Sequence, residues 1–118
     1  MNNDSSTSKT SIPLAITRVT DPYGNLVLPG GDLYRSTGGV ATFEGTCAPL
    51  DTVRVVSLGQ RDGATTMRYQ VPRFVTHWYV EVQLQTEKSY DHFARDESSG
   101  AETDNYPLHW KWGEPPNK

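Results

Sequence analysis

The chain has 118 residues, 35% apolar and 21% charged, with 8 prolines, 10 glycines and a formal net charge of −3. That length builds one domain around one core, and an apolar share below the roughly 45–50% of soluble proteins (a figure that counts Gly) predicts a thin core, such as two sheets packed about 10 Å apart. No apolar run approaches the roughly 18 residues of a membrane helix, the opening MNNDSSTSKTS lacks the apolar stretch of a signal peptide, and 11 Lys+Arg against 14 Asp+Glu argue against nucleic acid as a partner, since phosphate contacts need clustered cations.

Residues 1–11 read as a polar N-terminal arm, too poor in apolar groups to fold alone, and residues 113–118 as a Pro-rich C-terminal tail. Between them, turn residues recur roughly every 8–12 positions and no window sustains an apolar pattern at helical spacing, which is the signature of an all-β domain over 12–112. Ile12 to Thr20 is the first predicted strand; Pro13 cannot donate to a ladder, so it belongs at a sheet edge or a strand beginning. Asp21-Pro22-Tyr23-Gly24-Asn25 turns the chain, Leu26-Val27-Leu28 continues briefly, and Pro29-Gly30-Gly31 breaks it. Residues 32–38 read as a loop in which Leu33 and Tyr34 pack down. Val40–Thr46 and Thr52–Leu58 are the next strands, joined through Ala48-Pro49-Leu50-Asp51. Gln60-Arg61-Asp62-Gly63 then supplies a hairpin turn into a fourth strand, Thr65–Val71.

His77 to Leu84 carries the clearest pattern: Trp78, Val80, Val82 and Leu84 alternate with Tyr79, Glu81 and Gln83, placing the first four in the core. Ser89 to Arg95 follows, with Tyr90, His92 and Ala94 on one face, then a polar loop over 96–105. Leu108, Trp110 and Trp112 alternate with His109 and Lys111 in a last strand. Seven such strands predict an immunoglobulin-like sandwich, and the single Cys47 means that it forms without an internal disulfide.

The order Ile16-Thr17-Arg18-Val19-Thr20-Asp21, a Gly turn and Pro29-Gly30-Gly31 resembles the opening of bacterial Ig-like repeat domains, which are strung along large adhesin-like surface proteins, notably in pseudomonads. Phe43-Glu44-Gly45-Thr46, Ala48-Pro49 and Thr52-Val53-Arg54-Val55 are similar to the family's Gly-Thr-Ala element and the strand of alternating valines after it. Thr76-His77-Trp78-Tyr79, Lys88-Ser89-Tyr90 and Ser99-Gly100-Ala101-Glu102 resemble its later strand starts, so the likeness covers residues 12 to 112. It implies a non-catalytic structural or binding module of cell adhesion, acting through end loops and an exposed strand edge on a protein partner or a neighbouring copy. Start and end positions read as those of a free-standing unit or a last repeat, which keeps open a virion component: a capsid decoration or tail-associated protein of a phage.

Residue chemistry offers few sites. No Gly-x-Ser-x-Gly elbow or phosphate-binding glycine loop occurs, and Cys47 pairs with no histidine at a catalytic spacing, so no enzyme is expected. His77, His92 and His109 lack metal-ligand spacing and read as strand residues. Calcium is the one inorganic candidate: Asp21, Asp51, Asp62, Asp96, Glu97 and Asp104 fall at predicted turns, where oxygens could converge at one end of a sandwich. The alternative is that Asp favours turns by bonding its own backbone. Tyr69, Tyr79, Trp110 and Trp112 are the candidate binding aromatics, because an exposed platform stacks on a surface glycan or anchors a protein interface; the competing reading puts Trp110 and Trp112 in the core.

Overall fold

The computed structural model describes residues 13–36, 39–48, 52–59, 64–70, 75–84 and 87–116, with 64–69 described as backbone only. The chain is all-β and forms two sheets from β1 (Ala15–Thr20), β2 (Asp32–Arg35), β3 (Ala41–Thr46), β4 (Thr52–Gly59), β5 (Ala64–Gln70), β6 (His77–Val82), β7 (Ser89–Asp96) and β8 (Tyr106–Trp112). A three-stranded sheet runs β1-β3-β6 and a five-stranded sheet β2-β8-β7-β4-β5. Each segment expected as a strand contains one, with shorter ends in places: Pro13 and Leu14 precede β1, Gln83 and Leu84 follow β6, and Ile12 and Val71 lie outside the described residues. The difference is β2, which falls in the stretch expected as a loop. It pairs in parallel with β8, Asp32 to His109 and Arg35 to Trp112, while Leu33 is fully buried.

Period-two alternation explains how the two sheets meet. β6 runs exposed-buried throughout, so Trp78, Val80 and Val82 face inward, with Leu84 buried just beyond the strand. Val19, Ala41 and Phe43 join them from β1 and β3; Leu33, Val53, Val55, Tyr90, Ala94, Leu108 and Trp110 come from the opposite sheet, and Cys47 is buried with them. β3 and β6 can approach closely because Gly45 lies opposite Trp78: a Cβ at Gly45 would stand 2.6 Å from the indole. Trp78 Nε1–H donates to the Thr46 carbonyl at 2.9 Å, so the largest core side chain leaves no polar atom unpaired.

Register also fixes which loops share an end. The start of β1 lies beside the end of β3, Ala15 opposite Thr46, whereas the end of β8 lies beside the end of β2. Pro13 and Gly113 therefore stand at opposite ends of the sandwich. The turn after β1 belongs to the Gly113 end, where Tyr23 Oη–H donates to the Gly113 carbonyl at 3.3 Å. The turn after β7 belongs to the other, where Glu97 N–H donates to the Thr52 carbonyl at 2.9 Å.

Candidate functional site

The weak calcium candidates among the described residues are not brought together. Asp21 and Asp96 lie at opposite ends of the sandwich, and each carboxylate is engaged by its own turn. Asp21 Oδ1 accepts from the backbone N–H of Tyr23 at 2.9 Å and of Asn25 at 2.8 Å, and Oδ2 accepts from Asn25 Nδ2 at 3.2 Å. Asp96 Oδ1 accepts from Ser98 N–H at 2.8 Å and Oδ2 from Ser99 Oγ–H at 3.2 Å. These are local turn bonds of the kind that favour Asp at such positions. Glu97 is paired with Arg54. Asp51 and Asp62 lie outside the described residues. Among those described, no three His, Cys, Asp or Glu side chains are placed to hold an ion.

Nor do the four aromatics form one platform. Trp110 is 2% exposed and sits in the core, a correction to its place among the surface aromatics. Trp112, on the same face of β8 but past the end of the core, is 42% exposed. Tyr79 is 51% exposed on the outer face of the other sheet, in line with Glu44 across β3. Tyr69 is placed by its backbone opposite Val53, and its side chain lies outside the described residues. The two exposed rings, Tyr79 and Trp112, lie on different sheets and so make separate spots.

What sequence reasoning missed is a polar chain inside the core. Trp110 Nε1–H donates to His92 Nε2 at 3.0 Å, and His92 Nδ1 meets Ser57 Oγ at 2.7 Å. Burial holds His92 down from 6.5 to about 4, partly offset by Asp91. The imidazole is therefore neutral at pH 7, with its proton on Nδ1 toward Ser57. Serine and histidine stand at hydrogen-bond distance here, and both are buried. A second pair is exposed: Ser89 Oγ lies 2.5 Å from His109 Nδ1, beside a hollow of about 340 Å³ that includes Leu58, Asp91 and Pro107. Asp32 completes the row across β2, β8 and β7, but its carboxylate is directed to Lys111 Nζ at 3.9 Å.

The larger concavity is a groove of about 560 Å³ along β1. β1 is paired with β3 on one side only. Its other side is covered near the end, where Thr20 bridges Leu26 and the Val19 carbonyl accepts from Val27 N–H at 2.9 Å. That leaves the edge of Ala15–Arg18 open among the described residues. Leu14, Ile16 and Tyr106 give the groove an apolar floor continuous with the core, and Glu102 and Asp104 stand on its far rim. Tyr106 Oη–H donates to the Val27 carbonyl at 2.5 Å, fixing the floor, and burial raises its phenol above the usual value. Sequence signalled the edge through Pro13; the far wall comes from the β7–β8 loop, distant in the chain.

Among the described residues no helix is long and apolar enough to cross a membrane. In comparison with known proteins, the chain matches no family model, no curated protein and no solved structure.

Proposed function

We propose that the chain is an immunoglobulin-like structural and binding module without a catalytic role, of the kind that the sequence resembles in bacterial surface proteins, and that it works by receiving an extended polypeptide along β1. The observation that supports this is the open stretch Ala15–Arg18, a strand edge whose start, Ala15 and Ile16, lines a groove with an apolar floor and a polar far rim. An incoming strand adds main-chain hydrogen bonds to such an edge, while alternate side chains enter the groove. Asp104 on the rim favours a segment that carries a basic residue, whereas Glu102 is already paired with Arg95 at 3.7 Å. Placement of Pro13 and Gly113 at opposite ends suits serial linkage, with the β1 groove left open at the side.

The test is a displayed peptide library selected on the whole chain, with hits mapped by backbone amide shifts. Hits should perturb Ala15–Arg18 and Glu102–Tyr106 and lose binding in Thr17→Pro, which puts a proline at the bulge inside the open stretch. Hits that map instead to Tyr79 or Trp112, or a glycan array that answers through Tyr79, would overturn the strand-edge reading.

A further inference from the structure

One charge inside the molecule is left over by the strand-edge reading. Arg35 ends β2 on the inward side of the strand, in line with Leu33, and is 3% exposed. Its Nη1 donates to the Leu84 carbonyl, and the Trp112 ring lies over the guanidinium at 4.5 Å. Nε–H is buried and has no acceptor, and among the described residues no carboxylate pairs with the group. A cation removed from water without a counter-charge is costly. The guanidinium edge formed by Nε and Nη2, the edge not committed to Leu84, is one that meets a carboxylate through two parallel N–H···O bonds.

We propose that Arg35, roofed by Trp112, is a binding site for a carboxylate. Backbone and side chain are decoupled at the roof. Trp112 N–H donates to Glu87 Oε2 at 3.1 Å and Gly113 N–H to the Arg35 carbonyl at 2.8 Å, so the main chain is pinned. The indole is 42% exposed, so a change of its rotamer would uncover the guanidinium without moving the main chain. Opening it admits a single carboxylate, and closing it excludes water from the new ion pair, where charge-assisted bonds are strongest. The carboxylate belongs either to a small free acid or to an Asp, Glu or chain end of another polypeptide. Glu87 is the described carboxylate that engages the Trp112 backbone, and it is the internal competitor.

Sodium acetate is titrated against sodium chloride at constant ionic strength on the full chain, with indole emission and thermal midpoint as readouts. Acetate should give a saturable emission change and raise the midpoint, with both effects absent in Arg35→Met. Arg35→Lys keeps the charge but loses the fork, and should weaken acetate by about tenfold; it carries the test if Arg35→Met does not fold. A short peptide with a free C-terminal acid, compared with its amide, separates the sources: tight binding by the acid alone assigns a polypeptide carboxylate, and equal, weak binding of peptide acid and acetate a small free acid. No difference between acetate and chloride, an undiminished response in Arg35→Met, or a response that appears only in Glu87→Gln overturns the proposal; the last would mean that Glu87 fills the site itself.

Discussion

Trp110 Nε1–H donates to His92 Nε2 at 3.0 Å, and this one bond decides how the core responds to acid. An imidazole that accepts at Nε2 and reaches Ser57 through Nδ1 must lose the Trp110 bond when it takes a second proton. Burial, the larger effect, and the opposing Asp91 place its folded pKa at about 4 against 6.5 unfolded. Between those values the unfolded chain binds the proton and the folded chain does not, so stability is full above pH 6.5 and falls as pH drops toward 4. The loss attributable to His92 is at most about 3 kcal/mol. Urea unfolding at several pH values should show this slope in the wild type, and His92→Phe should flatten it. An equal slope in both proteins would assign the acid sensitivity to surface carboxylates.

Gly45 is where two strands need an absent side chain. A Cβ there would stand 2.6 Å from the Trp78 indole and also against the Ala15 carbonyl, which is backbone and cannot swing away. Gly45→Ala should therefore destabilise by about 3 kcal/mol, at the upper end of ordinary overpacking, with Gly45→Val worse. Denaturant midpoints check it. If Gly45→Ala is neutral, β1 is held to β3 more loosely than the register between Ala15 and Thr46 indicates.

Much of the fold was legible, and where it was not the reason is specific. β6 announces itself because an antiparallel strand with one wet face writes its surroundings at period two. β2 does not: it is four residues long, mixed in character, and paired with β8 from the other end of the chain. The same period puts Trp110 and Trp112 on one face but cannot say where the core ends, which is between them. Asp21 precedes its turn, while Asp96 ends β7 although the sequence predicts it in the loop after, and whether the two adjoining turns share an end depends on topology. Arg35 reads as a surface charge in any local window, and only the parallel pairing with β8 carries it under Trp112.

The Asp21 and Asp96 carboxylates each accept hydrogen bonds from their own turns, so each is expected to hold its turn in shape. Asp21→Ala and Asp96→Ala should each cost about 1–2 kcal/mol, the penalty for leaving turn donors without an acceptor. Millimolar calcium or a chelator should leave the wild-type melting temperature unchanged. A calcium-dependent rise that disappears in Asp96→Ala would instead mean that the turn reorganises around an ion.

The three tryptophans are set at different depths, and that makes the position of the core boundary measurable without a structure. Trp78 is 1% exposed, Trp110 2% and Trp112 42%, so acrylamide should reach one indole and miss the other two. Emission should accordingly divide into a quenchable red-shifted component and a protected blue-shifted one. Trp112→Phe should remove the quenchable component with little change in stability, since its ring covers Arg35 but fills no core space. Trp110→Phe should keep the quenchable component and cost about 2 kcal/mol or more, because it deletes buried volume and strands His92 Nε2 without its donor. The pair of variants also separates two uses of one strand. If Trp110→Phe proves harmless while Trp112→Phe unfolds the chain, the sandwich closes one residue pair further along β8, and Arg35 is then a core residue sealed by Trp112 with no opening above it.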